Sequence, residues 1–231
     1  MKHLAEAIVI AAIILGSFFY CSQKKPVNTI RVVGYASGDY DSDIMKWNIN
    51  VQVVNSDQLA GQQALHTNLV RLREFLKEIN LNPADLEIRP SFNYANYNRD
   101  GNISGFTLEQ NYSVAIRDTV RFAEIESIAY DLSILTKKGI NVRNSNVEYF
   151  ISALPDVKKE IIAEATKDAR DRANEVAKVT NTRLGKLLSG RVGVFQITEP
   201  LSVEVQSYGI YNTHTRKKQI SVTMTGEFQL K

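Results

Sequence analysis

Apolar and polar residues alternate strictly through residues 45–53. Met45, Trp47, Ile49, Val51 and Val53 occupy the odd positions, and polar residues stand between them. Because successive side chains of a β-strand point to opposite faces, this period predicts a strand with one buried and one wet face. Less regular runs of the same kind predict further strands at residues 30–35, 86–94, 106–116, 140–151, 191–197 and 220–230.

Three other segments follow the period of a helix. Apolar residues at steps of four and three over residues 65–79 lie on one helical face. A second helix is predicted to begin after Asp118, which can cap it, and to stop at Gly139. The third follows Pro155 and Asp156, and its buried stripe is rich in alanine, so it can approach a neighbour closely.

The elements therefore follow the order β-β-α-β-β-α-β-α-β-β. The segment Asn-Arg-Asp-Gly-Asn at residues 98–102 has turn chemistry, which predicts that the strands on either side form a hairpin. Amphipathic strands joined by hairpins favour antiparallel sheet. The predicted fold class is α+β: mainly antiparallel sheet with helices on one face, preceded by an N-terminal apolar helix.

The N-terminal segment has the pattern of a membrane-targeting signal. A short basic start precedes an apolar run at residues 7–20 that has no polar face at helical spacing. We expect residues 1–25 to be a signal anchor or signal peptide, and residues 26–231 to be the folded domain. Three fates stay open: retention as an anchor, cleavage, or lipidation at Cys21. The expected location is the cell envelope, with the domain in the periplasm, either anchored to the inner membrane or free after cleavage.

The charge and the cysteine content of the chain limit the classes of partner and of site that can be expected. The formal net charge is +3, and 28 Lys and Arg residues are interspersed with 25 Asp and Glu residues. Nucleic-acid binders more often concentrate basic residues on one element, so we expect no nucleic-acid partner. The densest basic run, Arg216-Lys217-Lys218, is interpreted as the solvated entrance to a strand. One cysteine cannot form an intrachain disulfide or a thiolate metal cluster.

No arrangement of residues is typical of a catalytic or metal centre. The histidines His3, His66 and His214 lack the HExxH spacing of a zinc site, and no GxSxG serine motif occurs. Asp168 and Arg172 stand four residues apart on the third helix, which favours a surface ion pair over a metal site. The prediction is no catalytic, cofactor-binding or metal-binding residue, no cofactor and no enzymatic activity.

Aromatic residues gather in two polar loops, one around the hairpin and one near residues 208–211. Such side chains contribute much contact area for little entropy loss. Packing over the ends of the sheet is the plainer interpretation. Tyr97 and Tyr211 are the candidate residues of a contact surface.

Two sequence blocks resemble the SIMPL-domain family. The first is ISGFTLEQNYSVAIRD at residues 103–118, and the second is AEATKDARDRANEVA at residues 163–177, followed by Leu-Gly-Lys at 184–186. The opening IRVVG at residues 30–34 and IRPSF at 88–92 fit the same family. The resemblance implies an α+β domain exported to the bacterial periplasm or envelope, ring-like self-association in some members, and a loose link to stress tolerance. No set of catalytic residues is established for this family, so the resemblance assigns none to this chain.

The expected function is that of a non-enzymatic, membrane-anchored or periplasmic envelope protein that self-assembles into a homo-oligomer or acts as a scaffold. Long strands that present an edge invite pairing with another chain. The strand at residues 220–230 is the candidate edge, and proline there is expected to break assembly. The alternative is a periplasmic module that binds a small ligand or peptide between the aromatic loops.

Overall fold

A computed structural model describes residues 28–231 of the chain. The predicted targeting segment at residues 1–25 lies outside the described residues. Among the helices of residues 28–231, none combines the length and the apolar composition that crossing a membrane requires.

The part of the chain that the structure describes contains ten strands, four α-helices and two short 3-10 helices. The helices are α1 (Gln58–Glu78), α2 (Phe122–Tyr130), α3 (Leu132–Lys137) and α4 (Leu154–Val179). The strands are β1 (Thr29–Asp41), β2 (Ile44–Asn55), β3 (Glu87–Ile88), β4 (Phe92–Tyr97), β5 (Ile103–Ile116), β6 (Val142–Phe150), β7 (Leu184–Val192), β8 (Gln196–Thr198), β9 (Ile210–Tyr211) and β10 (Lys217–Leu230).

The α+β fold class is confirmed, and antiparallel pairing dominates both sheets. Three predicted elements are divided. The strand at 86–94 becomes β3 and β4, because Pro90 has no backbone N–H to give to a sheet ladder. The second helix breaks at Asp131, whose side chain accepts a hydrogen bond from the Ser133 N–H and starts α3. The strand at 191–197 is the end of β7 and the start of β8.

The chain divides into two compact units. The larger comprises residues Ser37–Lys159 and Phe195–Ser221, and the smaller comprises residues 28–36, Glu160–Val194 and Val222–Lys231. Strands β1 and β10 contribute residues to both units.

The sheet of the larger unit has three long strands in the order β5, β2 and β6. The short strands β3 and β4 pair with the outer side of β5. Helix α1 packs on β2 and β5, and α2 and α3 pack on β6. The odd-numbered residues of β2, 45 to 53, are all buried in the core beneath these helices. Within that core, the Trp47 Nε1–H donates to Ser145 Oγ at 2.7 Å. The alternation in the sequence therefore predicted the buried face of β2 correctly.

In the smaller unit, α4 is held close to β1 by small residues. Four alanines at intervals of four residues, Ala165, Ala169, Ala173 and Ala177, are buried on α4. A Cβ on Gly34 of β1 would lie 2.2 Å from the Ala165 carbonyl oxygen and 2.4 Å from the Ala169 nitrogen. Only glycine fits at this crossing, because the atoms it faces are main chain.

The candidate edge at residues 220–230 is not an edge. These residues belong to β10, which has β1 on one side and β7 or β8 on the other. A proline in β10 would therefore remove ladder hydrogen bonds inside a sheet and test folding rather than assembly. The prediction that residues 220–230 form an edge is therefore wrong, because β10 is paired on both sides.

Candidate functional site

Strand β4 forms an open edge of the larger unit's sheet. It pairs with β5 from Phe92 to Tyr97, and no backbone hydrogen bond reaches its other side from any described residue. The strand reads Phe-Asn-Tyr-Ala-Asn-Tyr and carries no charge. Natural proteins usually protect such an edge with lysine, proline or an inward charge, so β4 is an unguarded edge in this sense.

Exposed aromatic side chains follow this edge. Phe92 is 60% exposed, Tyr94 46% and Tyr97 65%. Ile103, which pairs with Tyr97 across the hairpin, is exposed as well. Large aromatic side chains that contact water along an unpaired strand favour contact with another protein surface.

The hairpin turn positions these side chains. Asn98 accepts two backbone hydrogen bonds at its side-chain oxygen, from Asp100 at 3.0 Å and from Asn102 at 2.9 Å. Its own N–H donates to the Asn102 carbonyl at 2.8 Å. Gly101 has a φ of 80°, which favours glycine. The predicted turn at residues 98–102 is therefore confirmed, and it fixes the end of β4.

A carboxylate on the helix-free face holds β4 to the sheet. Glu109 of β5 accepts hydrogen bonds from the Tyr94 hydroxyl, from Gln52 Nε2 at 2.6 Å and from Arg143. The bond from Tyr94, with those from Gln52 and Arg143, holds the pKa of Glu109 below its ordinary value. The same bond raises the pKa of Tyr94. The edge is thus anchored by an ionised carboxylate that bridges β4, β5, β2 and β6.

One protein-family model matches most of the chain. The model of the SIMPL family, described as a protein of unknown function (DUF541), matches residues 30–228. The chain belongs to the SIMPL family. A search of curated proteins finds no match to this chain.

The smaller unit of this SIMPL protein has an open edge of another kind. Strand β7 pairs with β10 on one side, and no backbone hydrogen bond from the described residues reaches its other side. It carries exposed Leu187 and Leu188, but also Lys186 and Arg191, and its pairing shifts register twice. Charges and irregular pairing are the features that protect natural edges, so β7 is a guarded edge.

The two predicted contact residues lie at opposite corners of the larger unit. Tyr97 is at the hairpin end of β4, beyond Asn55, the last residue of β2. The Tyr211 ring stacks on Phe150 at 6.2 Å, and Phe150 pairs with Ile44, the first residue of β2. The strand between these ends spans about 36 Å at roughly 3.3 Å per residue. Tyr97 and Tyr211 do not form one surface patch.

The basic run at residues 216–218 was interpreted incorrectly for one of its members. Lys218 is 0% exposed, and its ammonium donates to the carbonyls of Asn212 at 2.6 Å and Thr215 at 2.8 Å. Burial lowers the pKa of Lys218 to about 8. Arg216 lies over the Phe122 ring at 5.2 Å. The sequence gives no sign of this, because the loop that encloses Lys218 acts through main-chain atoms.

The other described residues that could take part in catalysis or metal binding do not come together in one site. His66 on α1 and His214 after β9 are both exposed. Within residues 28–231, no three His, Cys, Asp or Glu side chains are placed to hold a metal ion. Asp168 and Arg172 form the predicted ion pair at 2.8 Å, and Asp168 also accepts the Tyr35 backbone N–H at 2.8 Å. The sequence did not predict this second bond, through which Asp168 joins α4 to β1.

Proposed function

We propose that this SIMPL protein is a non-enzymatic envelope protein that assembles with itself through the unguarded edge of β4. The observation that carries the proposal is the combination of an unpaired, uncharged strand edge with three exposed aromatic side chains. A second copy of β4 would satisfy the free main-chain groups and cover the rings together.

The choice of β4 over β7 rests on charge. Two copies of β7 would bring Lys186 and Arg191 of each chain close to those of the other, and like charges across paired strands are unfavourable. Two copies of β4 bring no charges together. The uncharged edge is therefore the one that favours homotypic pairing.

The envelope location rests on the apolar run at residues 7–20, as part of the same proposal. If residues 1–25 target the chain to the envelope, the domain is accessible to protease added to intact spheroplasts. Complete protection of the domain in spheroplasts that remain intact would contradict the location and leave the assembly proposal standing.

The test of assembly is a measurement of mass by light scattering after size exclusion, on residues 26–231. We expect a discrete oligomer for the native sequence and a monomer for the double variant Phe92→Lys, Tyr97→Lys. Both side chains are exposed, so the fold should persist, which circular dichroism checks. A monomeric native chain would count against the proposal.

The matched control is Leu187→Lys, which introduces the same charge at an exposed position of the guarded edge. It should leave the oligomer unchanged. If this control abolishes the oligomer and the β4 variant does not, assembly proceeds through β7 and the proposal for β4 fails.

A further inference from the structure

The smaller unit contains a cavity between α4 and the ends of β7 and β10. Its volume is about 400 Å³, and it is lined by Thr166, Arg170, Gly185, Lys186, Leu187 and Phe228. Ligand pockets commonly have volumes of about 300–1,000 Å³, so this cavity is large enough for a small organic molecule.

Two cations line this cavity without a counter-ion. Neither Arg170 nor Lys186 makes an ion pair or a side-chain hydrogen bond with any residue in the described range 28–231. Their neighbour Arg172, by contrast, is paired with Asp168 at 2.8 Å. Both side chains are exposed to solvent at the mouth of the cavity, where they can give charge-assisted hydrogen bonds, the stronger class, to an anion.

Beyond the two cations, the lining consists of Thr166, Gly185, Leu187 and Phe228. The accessible apolar side chain is Leu187, which is 43% exposed, and its partner on β10, Phe228, lies buried beside it. The Thr166 hydroxyl already donates to the Ile162 carbonyl at 2.7 Å, so it has no proton left to give to an anion. An inorganic anion would use the two cations and leave the apolar wall without a contact.

We propose that this cavity binds a small carboxylate with an apolar body, such as a medium-chain fatty acid. The carboxylate lies between Arg170 and Lys186, and the hydrocarbon covers the exposed side chain of Leu187. The site lies in the smaller unit and uses no residue of β4, so it stands or falls independently of self-assembly.

The test is calorimetric titration of octanoate into the full 231-residue chain, held in one detergent for every variant. We expect saturable binding of octanoate. Octylammonium, which has the same chain and the opposite charge, should not bind, and inorganic phosphate should not displace octanoate at matched concentration. Equal binding of octylammonium, or displacement by phosphate, would overturn the proposal.

The double variant Arg170→Gln, Lys186→Gln should weaken octanoate binding by about tenfold or more, because both charge-assisted hydrogen bonds to the carboxylate are lost. The control is Arg191→Gln, which changes a charge on the same strand. Val192 pairs with the buried Met224, so the Val192 side chain lies on the face of the sheet that α4 covers. Adjacent residues of a strand point to opposite faces, so the Arg191 side chain faces away from α4. The control should change the affinity less than twofold. Equal loss in both variants, or loss in neither, would contradict the site.

Discussion

The two units each cover a sheet with helix, but they use side chains of different size. In the larger unit, Trp47 and Leu72 are among the large side chains packed between α1 and its sheet. In the smaller unit, alanines of α4 meet Gly34 at main-chain distance. The large side chains of the first unit can shift when a neighbour changes, whereas backbone packed on backbone cannot.

The difference extends to the open edges. The open edge of the larger unit is β4, which has aromatic residues and no charge. The open edge of the smaller unit is β7, which has Lys186 and Arg191. We infer that the unit with the conventional core carries the surface for self-association, while the closely packed unit keeps its edge protected. A substitution in one unit can therefore be compared with the unchanged behaviour of the other unit.

The largest expected effect comes from Gly34→Ala. The new Cβ would lie within 2.8 Å of three main-chain atoms of α4, so the helix must move away from β1. We expect a loss on the order of 3 kcal/mol in the free energy of unfolding, the upper part of the usual range for overpacking. Hydrogen exchange should rise at residues 222–230 and stay low in β2 and β5.

Val33→Ala is the matched control for that variant. Val33 is the preceding residue of β1 and its side chain is exposed. It should change stability by less than about 0.5 kcal/mol, as surface substitutions usually do. Similar losses for both variants would mean that the contact of Gly34 with α4 is not what makes the substitution costly.

The second prediction concerns the pH dependence of the larger unit. The folded pKa of Lys218 is about 8 and the ordinary lysine value is 10.5, so between these values the unfolded chain binds more protons. Stability should therefore rise with pH above about 8, with a slope of at most about 1.4 kcal/mol per pH unit. Urea unfolding from pH 7 to 9 measures it, because these values lie at least one unit below the ordinary tyrosine pKa of 10.0.

Lys218→Met should abolish that slope. Methionine keeps the apolar stem of the side chain and cannot bind a proton. Residue 218 of the variant therefore no longer makes the free energy of unfolding depend on pH in this range. An unchanged slope in the variant would show that another group titrates.

The smallest expected effect is that of Glu109→Gln on the unguarded edge. The amide keeps the shape but loses the charge that accepts bonds from Tyr94 and Gln52, at a cost of about 1 kcal/mol. Because the pKa of Glu109 is lowered by folding, its contribution is complete above the ordinary value of 4.5 and is lost as the pH falls below it. Urea unfolding at pH 7 and pH 4 should show a smaller difference for the variant than for the native chain.

The sequence predicted those features that depend on local pattern. The buried face of β2 follows from alternation, and the hairpin at residues 98–102 follows from turn chemistry. The position of β10 inside a sheet does not, because its neighbours β1 and β7 are remote in the chain. The exposure of Tyr97 fits the predicted contact surface, but its role there stays a prediction, as does that of Tyr211.

The open edge of β4 and the cavity of the smaller unit could not be predicted from the amino-acid composition. An edge is defined by the absence of a pairing partner, and β4 and β5 have equally good strand patterns. The cations Arg170 and Lys186 are separated by sixteen positions in the sequence, and the fold brings α4 and β7 together around one cavity. Recognising either feature requires the register of the sheet.

The path of the chain through the two units has a consequence for the order in which they are completed during synthesis. The smaller unit uses residues 28–36 at one end and residues 222–231 at the other, and the Leu230 N–H donates to the Asn28 carbonyl at 2.8 Å. A ribosome releases β1 long before its partner strand β10 exists. Neither unit can be excised by cutting one linker, and loss of the last ten residues would leave β1 and β7 without the strand that joins them.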